Sequence, residues 1–392
     1  MIDWFERRPA DRPYLITTRG TVTYGQVATE LAARQTSAPR VVVPALDIES
    51  VLDILAGIAG GGATVVARRS HIAPVDSTLV VYTSGTTGPP KGVRLSLDNL
   101  IAASDASARH LGHGESDTWL LAMPLHHVGG ISILVRQAFC GGAVRMLPGF
   151  DEIAFAHTLK GDVTMASVVP TMLHRLLGLG PFAGLKAVLV GGGPIPAGLL
   201  ESADRAGLPV LPTYGMTETF GQVATLRPGS PVERKAHLLP GIDIRIGDDG
   251  RIAVRGRQVF PGYVGEPDRT SPWFVTNDLG SLDEDGALRV LGRADHVIVT
   301  GGEKVDPAVV EVALIGHPDI SEAVVYGVPD EEWGERVVAS FIGEADPVEL
   351  ESFFASRLPI HMVPKEFRRV VKIPRTALGK PDRHALRLHD SG

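Results

Sequence analysis

The sequence predicts an α/β protein: a large N-terminal domain of mixed and parallel sheets covered by helices, closed by a β-rich subdomain, then a small α+β C-terminal domain. Three observations lead there. Through about residue 290, β-branched runs such as "RVVVPAL", "LKAVLVGG" and "LPVLPTYG" alternate with helical segments such as "IESVLDILAGIAG" and "TMLHRLLGL". Parallel strands need a crossover, usually a helix, so this alternation implies parallel or mixed sheets. From Asp243 the texture turns polar: "IDIRIGDDGRIAVRG" reads as a hairpin turning at 248–250, and "LGSLDEDGALRVLG" as a second one, both on Asp-Gly. After "GRADHVIV" a fresh pattern begins, with helices expected over 307–315 and 347–358 and strands at "EAVVYGV", "RVVASFI" and "EFRRVVKI". The expected boundaries are 1–292 for the N-terminal domain, its β-rich part at about 241–292, a linker at 293–297, and 298–392 for the C-terminal domain.

Bulk properties narrow the function. A chain of 392 residues with 44% hydrophobic content can bury two or three domain cores. A net charge of -7 and a pI near 6.0 count against nucleic acid or an anionic membrane as the main partner, leaving small molecules. The single cysteine, Cys140, excludes an internal disulfide, and no Cys/His cluster has zinc-site spacing. The longest apolar stretch, residues 51–67, is broken by Asp53 and four glycines, so no membrane insertion is expected. The N-terminus "MIDWFERRPADRPYL" has no apolar core, so it does not read as a signal peptide and the expected compartment is the cytoplasm.

Several phrases at expected strand ends carry chemistry. "YTSGTTGPPKG", residues 82–92, joins three glycines, four small hydroxyl residues and Lys91 after the run Leu79-Val80-Val81. Free N–H groups, hydroxyls and an ammonium suit phosphate oxygens, although the spacing is not that of a Walker A loop and a plain Gly/Pro turn has the same composition. "PLHHVGG" places His126 and His127 before a glycine pair, and "VGGGPIP" puts Gly191, Gly192 and Gly193 where backbone can lie against a flat ligand or simply turn into a helix. "TYGMTET" offers the ring of Tyr214, two threonine hydroxyls, and Glu218 as a carboxylate able to hold Mg2+. "FVTNDLG" supplies Asp278, an acceptor for a ribose diol or a turn aspartate; "LGRADHVIVTGGEKV" supplies Arg293, Asp295 and a glycine pair; "IPRTALGKPDR" sets Lys380 on a glycine-bearing loop, where a solvated lysine is the ordinary reading.

Together and in this order, these phrases resemble the adenylate-forming superfamily of acyl-CoA synthetases, carrier-loading adenylation domains and firefly-type luciferases. "YTSGTTGPPKG", "YGMTET" and "GKPDR" are the most diagnostic. The resemblance implies that Thr83, Ser84, Gly85, Thr86, Thr87, Gly88 and Lys91 embrace the ATP phosphates, and that Tyr214 stacks on adenine beside Gly191–Gly193, Gly215 and Met216. It implies further that Thr217 and Glu218 serve the α-phosphate and magnesium, and that Asp278 and Arg293 hold the ribose, Arg293 in contact with ribose or phosphate. Lys380 would assist adenylation, Asp295 would be the hinge of a mobile C-terminal domain, and Gly301, Gly302, Glu303 and Lys304 would face CoA. The implied reaction joins a carboxylic acid to the α-phosphorus of ATP, then to a thiol, with Mg2+ as cofactor and ATP and CoA as co-substrates.

Within the superfamily, "AMPLHHVGGISILVRQAFCGGAV", "TYGMTETFGQVATL" and "GRADHVIVTGGEKVDPAVVE" are similar to the 2-succinylbenzoate–CoA ligases of menaquinone synthesis. That likeness implies an aromatic acid with a second carboxylate, for which Arg136 is the candidate cation, with His126 or His127 near the reacting end and Gly221 and Gln222 in the pocket. On helix texture alone Arg136 reads equally as a surface residue. The sequence departs from the superfamily pattern at His126, where an aromatic is usual, at Asn277, and at His296 and Val299 after the hinge. A ligase for another acid and a stand-alone enzyme loading a carrier protein share every ATP phrase, and a homodimer is an open assembly. A silent scaffold is disfavoured because Lys380, Glu218 and Asp278 are all present.

Overall fold

The computed structural model describes residues 1–34, 38–66, 77–83, 90–229, 235–375 and 381–388. A nine-stranded sheet forms the centre of the N-terminal part. Its strands Val210–Met216, Ala187–Val190, Met165–Val168, Thr118–Leu121, Ala143–Met146 and Pro13–Thr17 lie side by side in that order and run parallel, while antiparallel strands complete both edges. Alternate residues feed two different cores: Trp119, Leu121, Ala187 and Leu189 face one, and Leu120, Val188 and Val190 the other. A pleated strand buried on both faces must be apolar at consecutive positions, which is why these runs read as continuous rather than alternating.

Parallel strands end at one edge, and ligands in such sheets bind beyond their carboxyl ends. There the topology gathers the segments after residues 121, 168 and 190 and the end of strand Val210–Met216. Close packing fixes some of their glycines: a Cβ on Gly191 would stand 2.8 Å from the Thr213 carbonyl, and one on Gly215 only 2.0 Å from that of Gly221.

A second, five-stranded sheet contains the phosphate-loop candidate. Leu79–Thr83 pairs antiparallel with Lys91–Leu95, Thr83 opposite Lys91, so the two strands that flank the loop form a hairpin. The following helix, Leu97–Leu111, begins at Ser96, whose hydroxyl accepts from Asn99 N while the Asn99 side chain accepts from Ser96 N. Two expected elements are shorter. Only Arg40–Val42 of "RVVVPAL" is a strand, because Pro44 brings no N–H donor. The helix expected over 347–358 spans Pro347–Ala355, and Pro359 bars its continuation.

The two Asp-Gly hairpins form a four-stranded antiparallel sheet from Ile242–Ile246, Arg251–Gly256, Phe274–Leu282 and Leu288–Arg293. A last sheet starts at Ile298–Thr300 and adds Glu303–Val305, Ile320–Asp330, Gly334–Gly343 and Glu366–Arg369. Its helices Pro307–Ile315 and Pro347–Ala355 each open with an aspartate cap followed by proline, a pairing that fixes helix starts. One of its apolar clusters, around Val310, Phe341 and Phe354, draws only on residues 298–367. Among the described residues no helix is long and apolar enough to cross a membrane.

Candidate active site

The end of strand Val210–Met216 meets the hairpin sheet. Tyr214 donates its hydroxyl to Asp278 Oδ2 at 2.7 Å, and Arg293 Nη1 donates to Asp278 Oδ1 at 3.2 Å. The other edge of the same guanidinium forks onto Asp295, with Nε and Nη2 each 2.8 Å from a carboxylate oxygen. Burial, reinforced by the Asp278 charge, raises Tyr214 well above the usual tyrosine range, so the phenol stays protonated and donating. Burial opposes the charge on Arg293, but the bond to Asp295 and the Asp278 charge more than restore it. Asp278 sits opposite Arg293 in the ladder, which explains why residues 15 positions apart share one carboxylate.

Beyond Tyr214 the chain makes one tight turn, Thr217–Thr219, and Phe220 follows with φ at +51°. A buried aromatic in the left-handed region is strained, and the turn is held by Thr219, whose hydroxyl donates to the Gly221 carbonyl at 2.9 Å. The turn presents Glu218, which accepts from Tyr263 Oη at 2.9 Å while its carbonyl accepts from Phe260 N at 2.8 Å. Burial pushes the pKa of Glu218 above the ordinary carboxyl value. Such a group gains from a cation, since a nearby positive charge offsets the desolvation that opposes ionisation. Among the described residues no group of three or more His, Cys, Asp or Glu side chains could cage a metal. A lone carboxylate fits Mg2+ all the same, because that ion commonly takes one or two carboxylates and fills its shell with water and phosphate oxygens.

Tyr263 was not legible as a site residue. It belongs to the two-residue strand Gly262–Tyr263, which pairs with Val93 and Arg94 beside the phosphate hairpin. From there its ring lies under Lys91, whose Nζ is 4.9 Å from the centroid and 3.9 Å from Glu266. One tyrosine therefore links Lys91 to Glu218. The phrase "FPGYVGEP", with aromatics flanking a glycine between two hairpins, was the only available signal.

A third group lies on helix Val128–Cys140. Arg136 is 4% exposed, which removes the surface reading. Its guanidinium carbon stands 4.7 Å from the Trp119 ring centroid, and a Cβ on Gly221 would be 3.9 Å from both its Nη2 and Ser132 Oγ. Burial lowers Arg136 to about 10, and among the described residues no hydrogen bond or carboxylate partner offsets that burial. His126 and His127 precede the helix, rings 4.4 Å apart, with His127 at its N-cap. The Gln222 side chain is buried, its Oε1 accepting from Ser107 at 2.8 Å and its Nε2 donating to Thr225 at 2.9 Å.

Ser84, Gly85, Thr86, Thr87, Gly88 and Lys380 lie outside the described residues. Thr83, Gly192, Gly193, Met216 and Thr217 lie at the strand ends already named. Gly301 and Gly302, at φ +57° and +82°, are the turn of a hairpin that also exposes Glu303 and Lys304. Among the described residues no hydrogen bond or ion pair ties that turn to Asp278 or Glu218.

Residues 14–264 match the family of AMP-binding enzymes, and residues 309–380 match the AMP-binding enzyme C-terminal domain. The 2-succinylbenzoate–CoA ligase of Bacillus licheniformis is 39% identical over 333 residues, covering 79% of this chain and 70% of that protein. The o-succinylbenzoate CoA synthetase of Bacillus subtilis, in complex with its acyl-adenylate intermediate, superposes with a TM-score of 0.87 at 28% identity, over 98% of this chain and 97% of that one. Its complex with ATP and magnesium ion gives the same TM-score and identity over 98% of each chain. A double mutant of that enzyme bound to a product analogue gives only 0.68, at 28% identity over 98% and 97% of the two chains.

Proposed function

This chain belongs to the AMP-binding enzyme family, and from that premise we propose that it is a 2-succinylbenzoate–CoA ligase. A carboxylate oxygen of the acid attacks the α-phosphorus of ATP, the bond to the β-phosphate oxygen breaks, and pyrophosphate leaves. The thiolate of CoA, its proton lost to solvent or base, then attacks the acyl carbon of the mixed anhydride, and AMP departs. The observation that carries the choice of acid is Arg136: a buried guanidinium with no carboxylate beside it among the described residues asks for an anion from the substrate. The carboxylate that does not react supplies one.

The remaining roles follow from chemistry already described. Asp278 and Arg293 suit the ribose, Tyr214 the adenine face, and Lys91 with the hairpin turn the outer phosphates. Glu218 would hold Mg2+, which offsets the repulsion between two anions when bound. Thr217, His127 and Lys380 are assigned to the reacting end, His126 and Gly221 to the acid pocket, and Gly301–Lys304 to the thiol side. We place the hinge at Asp295, between the last strand of the hairpin sheet and the first of the C-terminal sheet, with domains at 1–292 and 298–392. The arrangement described here is closer to the ATP and acyl-adenylate complexes than to the product-analogue complex, which supports reading it as that of the first half-reaction. The partners in this reading are ATP, the acid and CoA in the cytoplasm, not nucleic acid. The test is ATP consumption with 2-succinylbenzoate, benzoates and fatty acids. AMP and pyrophosphate should form only with acid and Mg2+ present, fastest with 2-succinylbenzoate and CoA; ADP as product defeats the proposal, and a preference for fatty acids defeats the choice of acid.

A further inference from the structure

Gly292 is the next-to-last residue of strand Leu288–Arg293, pairs with Leu279, and has φ at +145°. The carboxylate of Asp306 is pressed onto its α-carbon: a Cβ there would stand 2.1 Å from Oδ2, 2.5 Å from Cγ and 2.7 Å from Oδ1. That carboxylate is not free to swing aside. Its Oδ1 accepts from Ala308 N at 3.0 Å as the N-cap of helix Pro307–Ile315, and its Oδ2 is buried with no hydrogen-bond partner among the described residues. Two segments on either side of Asp295 therefore touch at a point with no room for one methyl group.

The location gives the contact its meaning. Gly292 is fixed to the hairpin sheet, three positions before Asp295, and Asp306 to the last sheet, eleven positions after it. A rotation about residue 295 carries Asp306 away while Gly292 stays. The structure that holds this contact superposes with a TM-score of 0.87 on the ATP complex and 0.68 on the product-analogue complex.

We propose that Gly292 is a positioning residue for adenylation: its missing side chain lets the capped carboxylate of Asp306 seat, and so lets the C-terminal domain reach the first half-reaction's arrangement. This rests on the two-step ligase reading above. A glycine needed only for its backbone angle makes a different demand, because that strain stays within the hairpin sheet and weighs on both half-reactions alike.

Two assays separate the half-reactions: pyrophosphate release from ATP and 2-succinylbenzoate without CoA, and acyl-CoA formation from supplied 2-succinylbenzoyl-adenylate. Gly292→Ala strains the strand backbone in both arrangements, so it should slow both steps, the first at least about tenfold more than the second. Adding Asp306→Ser, which shortens the side chain but keeps a capping oxygen, should bring the loss in the first step to within about threefold of that in the second. Should Gly292→Ala fail to fold, Asp306→Glu makes the same test without touching the strand, and it should slow only the first step. Equal loss in both assays, or no recovery in the double variant, overturns the proposal. Wild-type protein that releases no pyrophosphate overturns the ligase reading and takes this one with it, whereas wild type that runs both steps isolates Gly292.

Discussion

Arg136, Asp278 and two histidines show how single residues report on their surroundings. A guanidinium 4% exposed, set over the Trp119 ring with no hydrogen-bond partner among the described residues, is costly unless an anion arrives. Replacing Arg136 with Leu should raise the KM for 2-succinylbenzoate by about 10- to 100-fold, the worth of about 1.5–3 kcal/mol for charged hydrogen bonds, with the KM for ATP unchanged. Lysine should recover only part, because it lacks the planar fork. Asp278→Asn should instead raise the KM for ATP over a similar range, read from initial rates, and leave that of the acid. The histidines act through stability. Burial, with Arg383 nearby, lowers His296 to about 4, and burial, with Arg136 nearby, lowers His113 to about 3. The unfolded chain takes up protons near pH 6.5 that the fold refuses. Stability is thus complete above about pH 6.5 and falls as pH drops toward 4, so the urea midpoint should be lower at pH 5 than at pH 7. His296→Gln should flatten that slope.

At the scale of elements, the phosphate hairpin is anchored from both ends. Its second strand, Lys91–Leu95, runs into the helix capped by Ser96, and the buried Asn99 of that cap donates to the carbonyls of Arg257 and Val259 at 2.7 and 3.2 Å. The cap thereby ties the hairpin to the segment that leads to Tyr263. Ser96→Ala should cost about 1 kcal/mol of stability, measured by chemical denaturation, while leaving kcat within about twofold. Tyr263→Phe removes the bond to Glu218 but keeps the ring under Lys91. Its expected signature is a higher requirement for Mg2+ in pyrophosphate release, with thermal stability little changed.

For the whole molecule, the proposed reaction divides its chemistry between two bodies joined near residue 295. Lys380→Ala should abolish adenylate formation and spare thioester formation from supplied adenylate, because the lysine is assigned to one arrangement only. Equal loss of both contradicts that assignment. Gly292 and Lys380 variants should then both lose most in adenylation for different reasons, one by excluding the arrangement and the other by emptying it of charge.

Local rules in the sequence determined most elements and the order of the site phrases. Helices 48–60 and 307–315 and both Asp-Gly hairpins are dictated by caps, periodicity and turn residues within a few positions, and the glycine and hydroxyl phrases carry the family resemblance through their order along the chain. Tertiary structure alone decided that Tyr263 reaches Glu218, that Arg136 is buried, that Gln222 is spent on Ser107 and Thr225, and that Asp306 leans on Gly292. Each of those facts is a meeting of segments distant in sequence or turned toward an unforeseen face. A side chain's partners depend on which strands pair and which helix face packs inward, and neither is encoded in the few residues around it.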